Sequence, residues 1–116
     1  MADILQEKSY KFALRIVKLF QHLSVERKEY VLSKQILRSG TSVGANIEEA
    51  YQGESKSDFI HKLAIANKEA FETHYWLRLL RDSVILEKNI AESIMVDCDE
   101  VQRMLVAAIK TAKSRK

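Results

Sequence analysis

The sequence has no proline, only three glycines and a single cysteine among its 116 residues. Sheet-rich folds turn about every eight to twelve residues, and turns draw on glycine and proline for backbone angles that other residues adopt only at a cost. Gly40 and Gly44 fall inside a periodic segment, which leaves Gly53 as the one conventional break. An all-β fold is therefore excluded, and a wound α/β sheet is disfavoured. Cys98, being alone, forms no intrachain disulfide and implies no oxidising compartment. On helical spacing it falls beside Ile94 and Val101, the setting of a buried, inert thiol rather than a reactive one. The amino terminus lacks the basic-then-apolar layout of a signal peptide, and Arg15 and Lys18 interrupt the nearest apolar run. A cytoplasmic protein with no membrane contact is expected.

What the chain does contain is helical periodicity. Four amphipathic segments, at about residues 3–23, 28–52, 56–82 and 89–113, account for nearly all of it. The first aligns Leu5, Phe12, Ile16, Phe20 and Leu23, followed by a polar turn over residues 24–29. The second aligns Leu32, Ile36, Ser39, Val43, Ile47 and Ala50, with Gly53 placed to end it. The third opens at Ser55 or Ser57 and runs through Phe59, Leu63, Ala66, Ala70, Thr73, Leu77 and Leu80 in steps of four and three. Residues 82–88, with Val84, Ile85 and Leu86 in a row, read as an apolar linker tucked against the bundle end. Asn89 with Glu92 suggests a cap for the last helix, which aligns Ile90, Ile94, Val101, Leu105, Ala108 and Ala112 before a frayed basic tail, Lys113 to Lys116. Long helices with short links predict one all-α domain over 1–116, an antiparallel up-down-up-down four-helix bundle.

The net charge of +3 is too small to mark a nucleic-acid binder, but its distribution is uneven. Residues 1–38 carry a balance of +4, residues 39–55 carry −3, and the remainder +2. On the first helix Lys8, Lys11, Arg15, Lys18 and His22 recur at three, four, three and four, within one arc about 80° wide. Arg27, Lys34 and Arg38 make a looser row on the second. Lys8, Lys11, Arg15, Lys18, Arg27 and Lys34 are accordingly the candidate contacts to an RNA or DNA backbone, where each phosphate contact releases condensed counterions. The competing interpretation is a solvated helix face. Tyr10, Tyr30, Tyr51 and Tyr75 offer rings for stacking on bases, against the commoner role of core-edge residues. No zinc-finger spacing, RNP-type aromatic pair or glycine-rich clamp accompanies them.

Catalytic chemistry is poorly represented. A di-iron bundle needs Glu-x-x-His on two helices, whereas the chain offers only Asp58-Phe-Ile-His61. Ser39 and Ser42 have no local histidine or oxyanion loop, and no glycine loop would cradle a phosphate. Neither catalytic residues nor a metal, cofactor or small-molecule substrate is expected. A different constellation lies on the second helix, where Gln35, Arg38, Ser42, Asn46 and Glu49 thread between apolar positions and Gly40 and Gly44 sit four apart. Each helical glycine costs about 1 kcal/mol relative to alanine, so the close approach of another helix should compensate. On the third helix Ile65, Glu69, Glu72, Trp76 and Leu79 form a second face, either an interface anchor flanked by ion pairs or a wide core face with surface acids.

The run Gln35-Ile-Leu-Arg38-Ser-Gly-Thr-Ser42-Val-Gly-Ala-Asn46-Ile47-Glu-Glu49-Ala50, continued by Asp58-Phe59 through Glu69-Ala70-Phe-Glu72-Thr and Tyr75-Trp76-Leu77, resembles the bacterial four-helix-bundle family of 23S rRNA intervening-sequence proteins. The similarity covers about residues 10–110. It extends to the accessory variability determinant of diversity-generating retroelements, a similar bundle assembled as a pentameric barrel. The resemblance implies a homo-oligomer, a pentamer, with nucleic acid as a possible partner. It carries over Arg38, Ser42, Asn46 and Glu49 as pattern positions with structural or interface roles. The leading expectation is a non-enzymatic homo-oligomeric scaffold that binds RNA or DNA through its basic surface. The alternative is a protein-interaction module that binds no nucleic acid.

Overall fold

The first helix starts on a reciprocal cap. The Asp3 carboxylate accepts from the Leu5 N–H at 2.8 Å, while the Gln6 carboxamide accepts from the Asp3 N–H at 3.1 Å. The computed structural model describes residues 3–115, so Met1, Ala2 and Lys116, the last residue of the basic tail, lie outside it. Four helices follow: α1 (Ile4–Gln21), α2 (Leu32–Tyr51), α3 (Lys56–Asp82) and α4 (Lys88–Ser114), with no strand among the described residues. Each runs antiparallel to the one before it, and α4 returns beside α1. The result is the expected four-helix bundle, 49 Å long and about 20 Å across. The end that holds the start of α1 also holds the end of α2, the start of α3 and the end of α4. Contacts from Gln6 to Glu48 and from Lys56 to the Arg115 carbonyl mark it.

The core follows the sequence rows closely. Leu63, Ala66, Ala70, Thr73, Leu77 and Leu80 of α3 are all fully buried, with Phe59 half-buried at the seam's end against Tyr51. Burying a leucine or isoleucine side chain contributes about 1.5–3 kcal/mol, so these rows outweigh any local propensity. In α1 the row steps from Ile16 to Leu19 and then Leu23, and Phe20 is displaced to a half-buried flank. Cys98 is buried and directs its thiol at the Ala70 carbonyl oxygen, 3.3 Å away.

The helix ends depart from expectation in four places. The chain leaves α1 through one π-helical turn, His22–Glu26, closed by the Arg27 N–H on the His22 carbonyl. α2 then begins at Leu32 rather than 28, because the Glu29 carboxylate accepts from the N–H groups of Val31, Leu32 and Ser33 at 3.2, 3.0 and 2.7 Å. Capping is thus delivered by a glutamate two residues before the conventional cap position. Asn89 lies inside the first turn of α4 and not at its cap, which falls at Glu87 with no side-chain bond. Of the predicted apolar linker only Leu86 is buried. Val84 is 77% exposed at φ 63°, a left-handed conformation that is costly for a β-branched residue. Ser55 caps α3 as expected, accepting from the Asp58 N–H at 3.0 Å, and α4 continues through Ser114, so Lys113 and Ser114 are helical.

The three glycines serve contact rather than conformation. A Cβ on Gly40 would stand 2.8 Å from the Ile16 side chain, and one on Gly44 would stand 3.4 Å from the Ser9 carbonyl oxygen. α1 therefore crosses α2 at near-backbone distance. Gly53 does follow the end of α2, but without positive φ; its missing side chain leaves room for the Asp58 carboxylate.

Candidate functional site

The four seams between neighbouring helices divide the surface into faces of different chemistry. Between α2 and α3, Arg38 donates to Glu69 at 2.9 Å and to Glu72, and the Trp76 indole N–H donates to the same Glu72 oxygen at 3.1 Å. The Trp76 hydrogen bond and the Arg38 guanidinium hold the Glu72 carboxyl below its usual range despite partial burial. Farther along, Glu49 pairs with Lys62 at 2.8 Å. Beneath this network the hydroxyls of Ser39 and Thr73 meet at 2.9 Å in the core, and Thr73 donates on to the Glu69 carbonyl. Ser42 donates to the Arg38 carbonyl, and Asn46 donates to the Ser42 carbonyl at 2.8 Å. The structure thus brings Arg38, Glu69, Glu72 and Trp76 into one cluster and Glu49 into a second pair. Ser42 and Asn46 bond only along their own helix, and Gln35 stands exposed beside them. Trp76 is half-buried and packs on the core.

The basic row of α1 turns toward α4. Lys8 pairs with Glu100 at 3.2 Å, and Arg15 pairs with Asp97 at 2.6 Å while also reaching the Ser93 carbonyl and hydroxyl. His22 bonds Glu26 at 2.5 Å. Lys11 and Lys18 are exposed and have no ion-pair partner among the described residues, as is Lys34 on α2; Arg27 donates to the Val84 carbonyl and keeps its charge. Half of the sequence-predicted row is therefore neutralised by carboxylates of α4. Asp97 and Glu100 lie about one turn apart on α4 and match Lys8 and Arg15 across the seam. Only knowledge that α4 returns beside α1 makes that pairing visible.

The other two seams look different. Along α1 and α2, Tyr10, Leu14 and Val17 stand exposed at steps of four and three, beside Ala13, Thr41 and Ala45, and no ion pair crosses the seam. Along α3 and α4 the half toward Asp82 is tied by His74 to Asp99 and Arg81 to Glu92, both at 3.4 Å. The other half is open. Two adjoining hollows of about 590 and 540 Å³ run over Phe71 (63% exposed), Val106 and Ala107, rimmed by Arg103, Lys110 and Lys113. The Asn67 carboxamide oxygen on their wall is buried without a donor. These faces were not singled out from sequence, although the i, i+4 spacing of Phe71 and Tyr75 and of Tyr10 and Leu14 carries the signal. A single row of core positions explains each helix so well that the outward apolar residues read as incidental.

Searches among known proteins follow from this geometry. The chain matches the sequence model of the 23S rRNA-intervening sequence proteins over residues 3–107. No curated protein matches it. Among solved structures, a crystal structure of a protein of unknown function from the S23 ribosomal protein family of Bacteroides thetaiotaomicron is 52% identical and superposes with a TM-score of 0.91. The match covers 92% of this chain and 96% of that one.

Proposed function

For a chain that belongs to the 23S rRNA-intervening sequence protein family, we propose the role of a non-enzymatic, self-associating helical scaffold that binds RNA or DNA by charge. The observation that carries it is the pair of apolar faces, α1/α2 and α3/α4, left uncovered in a bundle whose other two seams are closed by ion pairs. Exposed apolar faces of this kind, rimmed by polar residues, are surfaces for protein contact. Five copies, the number that the resemblance to the accessory variability determinant suggests, would sum +3 per chain to 5 × 3 = +15. The exposed lysines Lys11, Lys18 and Lys34 would then recur around the assembly, with Arg27 beside them.

Light scattering tests self-association, and electrophoretic mobility shift at two salt concentrations tests the nucleic-acid part. A backbone-binding surface weakens steeply as salt rises. Lys11→Glu with Lys18→Glu and Lys34→Glu should abolish the shift and leave the native mass unchanged. No shift at low salt favours the second reading, a protein-interaction module alone, which the pairing of Lys8 and Arg15 with α4 carboxylates already supports.

A further inference from the structure

We propose that the chain associates with copies of itself in one polarity only. The α1/α2 face of one copy seats on the open half of the α3/α4 face of the next, with both bundles pointing the same way. This rests on the self-association proposed above and adds which surfaces meet and in what direction.

The two apolar faces differ in charge. Arg103, Lys110 and Lys113 rim the α3/α4 groove toward the end where α4 terminates, and none has a carboxylate partner among the described residues. The carboxylates on that same face, Asp99 and Glu92, are already engaged by His74 and Arg81. On the α1/α2 face the carboxylates are Glu7 and Glu48. Glu7 precedes Tyr10 and Leu14 by three and seven residues, so it shares their strip, and Glu48 lines the hollow beside Tyr10. Both are exposed and unpaired with any cation; Glu48 only accepts from Gln6 at 3.2 Å. They lie at the same end of the bundle as Lys110 and Lys113, since the start of α1, the end of α2 and the end of α4 share that end. Docking the two unlike faces side by side in one direction matches free carboxylates with free cations over apolar floors. Docking two α3/α4 faces would leave Glu7 and Glu48 unmatched, and the opposite direction would carry them away from the cations.

The orphan acceptor agrees. The Asn67 oxygen in the groove lacks a donor, and the α1/α2 face offers the hydroxyl of Tyr10, whose side chain is 64% exposed. A contact between two different surfaces is heterologous, so it propagates from copy to copy and closes as a ring when the rotation permits.

The test uses two charge-reversed chains and their combination, followed by native mass across a concentration series. Lys110→Glu/Lys113→Glu and Glu7→Lys/Glu48→Lys should each raise the apparent dissociation constant by at least roughly tenfold, because like charges then meet across the contact. The chain carrying all four changes should recover the wild-type mass. All four side chains are exposed, so circular dichroism should show unchanged helicity in every variant. A wild-type assembly that survives the Glu7/Glu48 reversal overturns the polarity and leaves self-association standing. Loss in both pairs without recovery in the combined chain also overturns it. A monomeric wild type removes both proposals.

Discussion

α2 is held against its two neighbours by opposite means. Against α1 it presents Gly40 and Gly44, and the fit is one of shape: backbone close to backbone, with Ile16 filling the space a methyl would need. Against α3 it presents Ser39 and Arg38, and the fit is one of hydrogen bonds, a buried hydroxyl pair under an ion-paired ridge. Shape tolerates no added volume, whereas a polar pair tolerates joint removal better than the loss of one member. The first seam should therefore be the more sensitive to enlargement and the second to mismatch.

The largest effect belongs to Gly40→Val, which forces two extra methyl groups into Ile16 and should cost about 3 kcal/mol in urea unfolding at fixed protein concentration. Thr73→Val keeps the volume but leaves the Ser39 hydroxyl without its partner, for a loss of about 1–2 kcal/mol; adding Ser39→Ala should return part of it. A double mutant no more stable than Thr73→Val would show that the hydroxyl pair is incidental. Next comes the cap shared by both seams. Burial pushes the Glu29 carboxyl up, but the backbone N–H groups of Leu32, Ser33 and Val31 outweigh it and hold the group below its ordinary value of 4.5. A carboxyl lowered on folding lends its full stability above the unfolded value and loses it as pH falls through the folded one. Glu29→Gln should cost about 1 kcal/mol at neutral pH, and the difference from wild type should shrink on acidification. The smallest effect is Gly44→Ala. Its methyl meets Ser9 at ordinary contact distance while α2 gains propensity, so a stabilisation of about 0.5 kcal/mol is expected from thermal melts.

Gly40 and Gly44 show how far the sequence can be followed. Both were legible as sites of close helix approach, and both are, but nothing in their spacing distinguishes a position crowded by Ile16 from one with room beside Ser9. The same limit runs through the surface. Periodicity placed the inward rows of α3 and α4 because the core is local to each helix. It left Lys8 and Arg15 as open cations because their partners, Glu100 and Asp97, belong to a helix more than eighty residues away. The Arg38 cluster was legible in its members and not in its direction, since Glu69 and Glu72 could equally have faced a second copy. Helix starts were least legible where side chains acted from unusual positions, as Glu29 does.

The thiol of Cys98 has a use beyond packing. Burial and the nearby Asp99 and Asp97 carboxylates push it up to about 12, and its sulfur faces a carbonyl of α3, so in the closed bundle it is chemically silent. Alkylation at neutral pH then requires α4 to lift from α3, and the labelling rate becomes a clock for that opening. Because α4 also forms the rim of the exposed groove, slower labelling at high protein concentration would report, from inside a single chain, that its outer surface has been covered.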